Sequence, residues 1–136
     1  GKAIETETEM EKTDDDSSDD SNIKINIVSP EEAIAIKYFR NAFLATKVSF
    51  FNEIYDFCNA YDLDFDQVRG GIAADERISN SHTYVYPQDG IRGFSGMCFP
   101  KDTTALLKMA AEKNINLNTL TAAVNYNNKI KNNAWL

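Results

Sequence analysis

The chain has 136 residues, of which 43% are hydrophobic, so it is long enough for one domain with a real core and too short for two ordinary domains. The formal net charge of -7 is unevenly distributed, because residues 1–22 hold nine of the 21 acidic residues and only two of the 14 basic ones. The remainder is close to neutral, which argues against binding to nucleic acid or to an anionic membrane surface. No apolar run approaches the roughly 18 residues that cross a bilayer, and no signal-like segment opens the chain, so we expect a cytoplasmic protein.

Residues 1–22 contain almost no apolar side chains after the first ten, so we expect a disordered acidic tail there. Residues 23–136 are expected to form the folded domain. This domain opens with alternating apolar and polar residues over 23–28, which predicts a short strand without an evident partner in the chain.

A long helix is predicted next. Ser29 and Glu32 have the spacing of a capping box, which predicts that the helix begins between them. Apolar residues then recur at three- and four-residue steps up to Cys58, with no Gly or Pro before Gly70. This pattern predicts a helix of about thirty residues over 30–61, which is longer than usual and apolar on more than one side. Such a helix favours packing against a second chain, so we expect a homodimer formed through it.

Three shorter helices follow. Asp64 repeats the capping pattern and predicts a short helix, which the pair Gly70–Gly71 either interrupts or brings close to a neighbour. Residues 77–98 form a loop whose length is typical of functional segments. Two amphipathic helices are predicted over 100–113 and from position 118 to about 131. The predicted fold class is therefore all-α: one long dimerisation helix, shorter helices and a short stray N-terminal strand.

The sequence RGFSGMCFPKD, residues 92–102, places a cysteine between a glycine-containing loop and the start of a predicted helix. Unpaired backbone amides and the positive end of the helix dipole favour a thiolate at Cys98, and Lys101 adds a cation. The alternative is a small buried apolar residue, which is the commoner role of an arbitrary cysteine. The glycines of the loop favour the role of nucleophile for Cys98. Cys58 falls inside an apolar helical pattern, and we expect both cysteines to be reduced.

This segment resembles the GFGGxCFPKD signature of the UDP-glucose/GDP-mannose dehydrogenase family. Residues 37–47 are similar to the family's KxxxNAFLAxK helix, and residues 75–78 resemble its DxRI segment, in the same order. The resemblance covers residues 26–136 and implies the central dimerisation domain of such an enzyme. It also implies the activity, in which UDP-glucose is oxidised to UDP-glucuronate by two NAD through a cysteine-bound thiohemiacetal and a thioester.

The resemblance implies roles for individual residues. Cys98 is the implied nucleophile, and Asp102 is the aspartate that works with water in proton transfer. Lys37 and Asn41 are implied to stabilise the oxyanion and to contact the substrate, and their spacing of four puts them on one helix face. Arg77 is implied to reach the nucleotide sugar of the neighbouring subunit. The other implied substrate-binding residues are Asp89, Gly90, Arg92, Gly93, Phe94 and Ser95.

Some features depart from the family pattern or add nothing to it. Ser95 replaces the second loop glycine and adds a side chain where the backbone approaches the substrate, which predicts weaker binding. No GxGxxG motif follows a strand, so we expect that the NAD-binding domain is missing and that the chain alone is inactive. Cys98 and Lys101 are implied to touch NAD in the complete enzyme. The lone His82 has no partner at ligand spacing, so it is interpreted as a surface loop residue and no metal site is predicted.

Two functions stay open at this stage. The chain is either the middle of a working enzyme that supplies the dimer interface and half of the active site, or a stand-alone truncated homologue that acts as a dimerising regulatory module. A related nucleotide sugar, such as a GDP-mannose or an N-acetylmannosamine nucleotide, is an alternative substrate.

Overall fold

The computed structural model describes residues 27–85 and 92–132, and this part of the chain contains four helices. Their bounds are Pro30–Ala60 for α1, Phe65–Ala73 for α2, Cys98–Glu112 for α3 and Asn118–Asn132 for α4. No strand occurs in these two segments, in agreement with the predicted all-α class. The predicted tail and positions 23–26 of the predicted strand lie outside the described residues, and Ile27 and Val28 have no regular structure.

The start of α1 has the predicted capping box. The Glu32 backbone N–H donates to Ser29 Oγ at 3.1 Å, and the Ser29 N–H donates to Glu32 Oε2 at 3.4 Å. These bonds satisfy two backbone donors that the first turn of a helix leaves unpaired. The chain divides into two compact units, and the boundary between them falls within α1, between Lys37 and Tyr38.

In the second unit, α1 turns a stripe of small residues toward the interior. Ala42, Ala45, Ser49 and Asn52 are buried and recur at steps of three and four, so they lie on one helix face. Small side chains let a neighbouring backbone approach closely. Ser49 Oγ accordingly donates to the backbone carbonyl of Ala123 on α4 at 3.0 Å.

The core of this unit forms where α1, α3 and α4 meet. Ala42 packs there with Leu106 of α3 and Leu120 of α4, and all three are buried. Burial of each leucine contributes about 1.5–3 kcal/mol relative to an exposed position. The partly buried residues packed against this cluster are Tyr38, Leu107, Leu117 and Val124.

Two local predictions are corrected. The helix predicted over 100–113 begins at Cys98, because a proline such as Pro100 is tolerated within the first turn of a helix and does not delay its start. Helix α2 continues through Gly70–Gly71 without interruption. Apart from the backbone of α2 itself, an added Cβ at either position would meet no atom of the described residues within 4 Å, so no close neighbour explains the pair in this part of the chain. Among the described residues, no helix is both long and apolar enough to span a membrane.

Candidate active site

Cys98 is the first residue of α3 and is exposed to solvent. The helix N-cap residue, Met97, makes no side-chain hydrogen bond to the first turn, and the first turn contains no acidic residue. The backbone amides and the helix dipole therefore present an uncompensated positive end of α3 next to the thiol. Lys101 lies in the same turn and is also exposed. Cys58, by contrast, is a free and fully buried thiol.

Asp102 lies one helical turn after Cys98 and is only 3% exposed. Its Oδ2 accepts a 2.6 Å hydrogen bond from Nδ2 of Asn41 on α1. This contact brings together two of the four residues predicted to be catalytic, across 61 positions in sequence. A buried carboxylate needs such a donor, because an unpaired buried charge is costly.

Lys37 lies on α1 four residues before Asn41, and its side chain is exposed. The structure thus leaves its ammonium group accessible on the helix surface. Its predicted contact with a substrate oxyanion stays a prediction.

The loop before Cys98 is anchored by α4. The Phe94 N–H donates to Oδ1 of Asn127 at 2.7 Å, and Nδ2 of Asn127 donates to the Phe94 carbonyl at 3.1 Å. Both residues are buried. Gly93 has a φ of +79°, and a Cβ there would lie 2.1 Å from Asn127 Oδ1, so only glycine fits this position. Sequence reasoning identified Gly93 and Phe94 but not Asn127, which carries no local signal.

Arg92 opens the same loop and is held by α1 and α4. Its Nε and Nη2 donate to Oδ1 and the carbonyl of Asn52 at 3.2 and 3.0 Å. Its Nη2 also lies 2.8 Å from Oδ1 of Asp56 and 3.4 Å from the hydroxyl of Tyr126, and its guanidinium stacks 4.8 Å from the centre of the Tyr55 ring. A cation paired and stacked in this way fixes the direction in which the loop begins.

Asp56 and Tyr126 complete this network. The Tyr126 hydroxyl donates a short hydrogen bond to Oδ2 of Asp56. Partial burial raises the pKa of Tyr126, and the hydrogen bond to the Asp56 carboxylate raises it further. The phenol therefore stays protonated and keeps its donor at neutral pH.

An aromatic group flanks the start of α3. The rings of Phe94 and Phe99 pack edge to face with centres 6.4 Å apart, and the His82 ring lies 5.7 Å from the Phe99 ring. Phe99 directly follows Cys98, so these contacts help to fix the first turn of α3. The His82 contact could not be predicted from the sequence, because it joins a loop without a periodic pattern to the first turn of α3.

The DxRI segment is held from α1 by Lys47. Its Nζ donates to the Ile78 carbonyl at 2.6 Å and lies 3.4 Å from the Ser79 carbonyl, while burial lowers the pKa of Lys47. Arg77 itself is 89% exposed in its side chain and pairs with Asp75 at 2.7 Å. The guanidinium lowers the pKa of Asp75, and the carboxylate raises the pKa of Arg77.

The remaining predicted site residues are Ser95, Asp89 and Gly90. Ser95 is exposed, and Asp89 and Gly90 lie outside the described residues. The described segments contain no sheet that could form a dinucleotide-binding fold. The residues predicted to contact NAD, Cys98 and Lys101, are exposed at the start of α3. These residues therefore do not fit a complete dinucleotide site.

The chain is similar to known proteins. The chain matches the model of the UDP-glucose/GDP-mannose dehydrogenase family, central domain, over residues 31–129. It is 42% identical over 107 residues to UDP-glucose 6-dehydrogenase TuaD of Bacillus subtilis, an alignment that covers 79% of this chain and 22% of that protein. It is 43% identical over 96 residues to UDP-glucose 6-dehydrogenase of Rhizobium meliloti, covering 69% of this chain and 21% of that protein.

A solved structure is similar as well. The UDP-glucose dehydrogenase of the hyperthermophilic archaeon Pyrobaculum islandicum superposes with a TM-score of 0.67 at 28% identity, over 77% of this chain and 24% of that one. The chain thus spans less than a quarter of the length of each of these relatives. On the extent of the central-domain match and on these identities, the chain belongs to the UDP-glucose/GDP-mannose dehydrogenase family.

Proposed function

We propose that this chain is the central domain of a UDP-glucose 6-dehydrogenase that acts in the cytoplasm and oxidises UDP-glucose to UDP-glucuronate. The observation that carries the proposal is the arrangement on α3, where exposed Cys98 begins the helix and buried Asp102, one turn later, is held by Asn41. An exposed thiol one helical turn from an oriented carboxylate suits a reaction with a covalent thioester that water must hydrolyse.

In the proposed chemistry, the C6 alcohol loses a hydride and gives a proton to water, which forms the aldehyde. The Cys98 thiolate adds to the aldehyde carbon and gives the oxyanion of a thiohemiacetal. Loss of a second hydride from this carbon gives the thioester, and water attacks it to release the acid and the thiolate. Asp102 takes the proton of that water. Lys37 and Asn41 stabilise the developing oxyanion, since an ammonium and an amide are suitable donors for it. Both oxidation steps need a hydride acceptor, which NAD would supply if it were bound in the complete enzyme.

Substrate binding is proposed for the loop before α3. Gly93, Phe94 and Ser95 are proposed to contact the substrate, together with Asp89 and Gly90, which precede Arg92 in the sequence. The Phe94 N–H and carbonyl are already bonded to Asn127. Arg92 uses Nε and Nη2 for contacts within the chain, so Nη1 is the nitrogen proposed to reach the nucleotide sugar. Cys98 and Lys101 are proposed to touch NAD in the complete enzyme. The 136 residues alone are expected to show no turnover, because they hold no dinucleotide-binding motif.

A homodimer through helix 30–61 is part of the proposal. Phe43, Phe50 and Phe57 on α1 are 70%, 58% and 56% exposed and are spaced by seven residues, so they lie along one side of the helix. A row of exposed aromatic residues at heptad spacing favours a helix–helix contact with a second copy. Arg77, exposed and carried on a segment bonded to α1 by Lys47, is proposed to reach the substrate of that second copy.

The same row supports the alternative function, a stand-alone module that dimerises with the complete enzyme and regulates it. Calorimetric titration of the purified chain with UDP-glucose, together with its mass by light scattering, tests the two. A dimer that binds UDP-glucose supports the enzyme domain, whereas a dimer without binding favours the module. A monomer argues against both. The same titration with GDP-mannose and with UDP-N-acetylmannosamine tests which sugar nucleotide the chain binds most tightly.

A further inference from the structure

Residues 92–97 form no helix, yet the peptide of Phe94 in their middle is buried. A buried backbone N–H and C=O must find partners, and here a single side chain supplies both of them. Asn127 accepts from the Phe94 N–H and donates to the Phe94 carbonyl, as two strands do in a sheet. Asn127 is itself only 3% exposed, so no water competes for these bonds.

The flanking glycines explain why such an anchor is needed. Gly93 and Gly96 have φ values of +79° and +91°, and glycine loses more conformational freedom on ordering than any other residue. A loop with two such residues would sample several paths unless it were held between them. Asn127 holds it at Phe94, which lies between the two glycines, and Arg92 fixes its entry through Asn52.

We propose that Asn127 is a positioning residue of the UDP-sugar site: it selects one path for loop 92–96 and thereby presents the loop backbone and Cys98 to the substrate together. This inference rests on the proposed function. Asn127 contacts the loop at the Phe94 peptide and acts on the substrate only through the loop. A side chain that fixes the groups around a site lowers the entropy lost on binding, and its removal weakens binding without removing any contact to the ligand.

The test compares three variants of the full chain. Asn127→Ala removes both bonds to Phe94. Asn128→Ala changes the same side chain at the next, exposed position and is the matched control. Leu120→Ala removes a buried core side chain on the same helix and controls for lost stability alone. The readouts are the dissociation constant for UDP-glucose by calorimetry, hydrogen exchange of the peptide containing residues 92–97, and the rate of Cys98 alkylation.

Asn127→Ala is expected to weaken UDP-glucose binding roughly tenfold, to accelerate exchange of the Phe94 amide and to change the alkylation rate of Cys98. Leu120→Ala is expected to lower the melting temperature without these effects, and Asn128→Ala to resemble the wild type. The proposal is overturned if Asn127→Ala binds UDP-glucose with wild-type affinity, or if Leu120→Ala weakens binding equally at a similar loss of stability.

A double-mutant cycle with Gly93 separates the anchor from the proposed function. Gly93→Ala places a Cβ 2.1 Å from Asn127 Oδ1, and this clash disappears when Asn127 is alanine. The cost of Gly93→Ala should therefore be smaller in the Asn127→Ala background, by at least about threefold in the unfolding equilibrium constant. If the costs of Gly93→Ala and Asn127→Ala in unfolding free energy are additive, Asn127 does not hold the loop at this position. If the wild type binds no UDP-glucose, the proposed function fails, while this cycle and the exchange rates still decide whether Asn127 holds the loop.

Discussion

The amide nitrogen of Asn41 on α1 lies 2.6 Å from the carboxylate of Asp102 on α3. Because Asp102 is buried, this hydrogen bond satisfies a charge that would otherwise be stranded in the interior. It also orients the Asn41 amide, since its nitrogen must face the carboxylate. The contact therefore serves the fold and the proposed chemistry at once.

Asp102→Asn is expected to destabilise the chain by about 1–3 kcal/mol, because two amides then meet where a charge-assisted bond was. Urea unfolding measures the loss. The exchanged pair, Asn41→Asp with Asp102→Asn, restores an amide-to-carboxylate bond and should recover part of the stability. If the exchanged pair is less stable than both single variants, the bond does not stabilise the fold as described.

Cys98 is expected to react with iodoacetamide faster than Cys58 by about two orders of magnitude, because one thiol is exposed at a helix start and the other is fully buried. Peptide mapping by mass spectrometry distinguishes the two sites. Lys101→Glu should slow the reaction of Cys98 with iodoacetamide, since it places a negative charge in the first turn of α3. Lys108→Glu, an exposed change further along α3, is the control. Equal rates at Cys98 and Cys58 in the folded chain would contradict the structure.

Tyr126→Phe should cost about 1 kcal/mol at neutral pH through loss of the hydrogen bond to Asp56. The pH dependence follows from the raised pKa of Tyr126 in the folded chain. Above its ordinary pKa of 10.0 the unfolded chain loses this proton first, so the stability gained from the protonated phenol is complete below pH 10.0 and declines as pH rises through the folded pKa.

Urea unfolding at about pH 8 and about pH 11 tests this behaviour. The difference in free energy of unfolding between the wild type and Tyr126→Phe should shrink at the higher pH. A difference that grows with pH would mean that the phenol is not held in its protonated form.

Phe50→Glu is expected to convert a dimer of this chain to a monomer, because it buries a charge in the centre of the proposed helix contact. Light scattering measures the mass. Met109→Glu on α3 is the control, since Met109 is also an exposed apolar residue, at 45%, but lies outside the α1 row. A dimer that survives Phe50→Glu and Phe43→Glu would place the contact on another surface.

The helices could be predicted well from local sequence, because the contacts that start them join residues close together in the chain. The Ser29–Glu32 capping box and the start of α2 at Asp64 depend on neighbours within three residues, and both form as expected. The resemblance to the family identified Asn41 and Asp102 separately, but their hydrogen bond appears only when α1 packs on α3.

The anchors of the loop could not be predicted in the same way. Asn127 lies 33 positions from Phe94, and the sequence around it is rich in asparagine, so nothing distinguishes it from its exposed neighbours. Lys47 belongs to a recognised motif, yet its role as a donor to the Ile78 carbonyl depends on where the chain after α2 returns to α1. Contacts of this kind are decided by tertiary packing and have no periodic pattern.

Helix α1 carries both Asn41, bonded to α3, and Lys47, bonded to the segment after α2. The six-residue step from Asn41 to Lys47 corresponds to about 9 Å along an unbroken helix, and each residue turns it by about 100°. One residue inserted or deleted between them would rotate one contact away from its partner while leaving the other in place. Insertions and deletions between Asn41 and Lys47 should therefore not be tolerated, even where single exposed side chains in this stretch can be substituted.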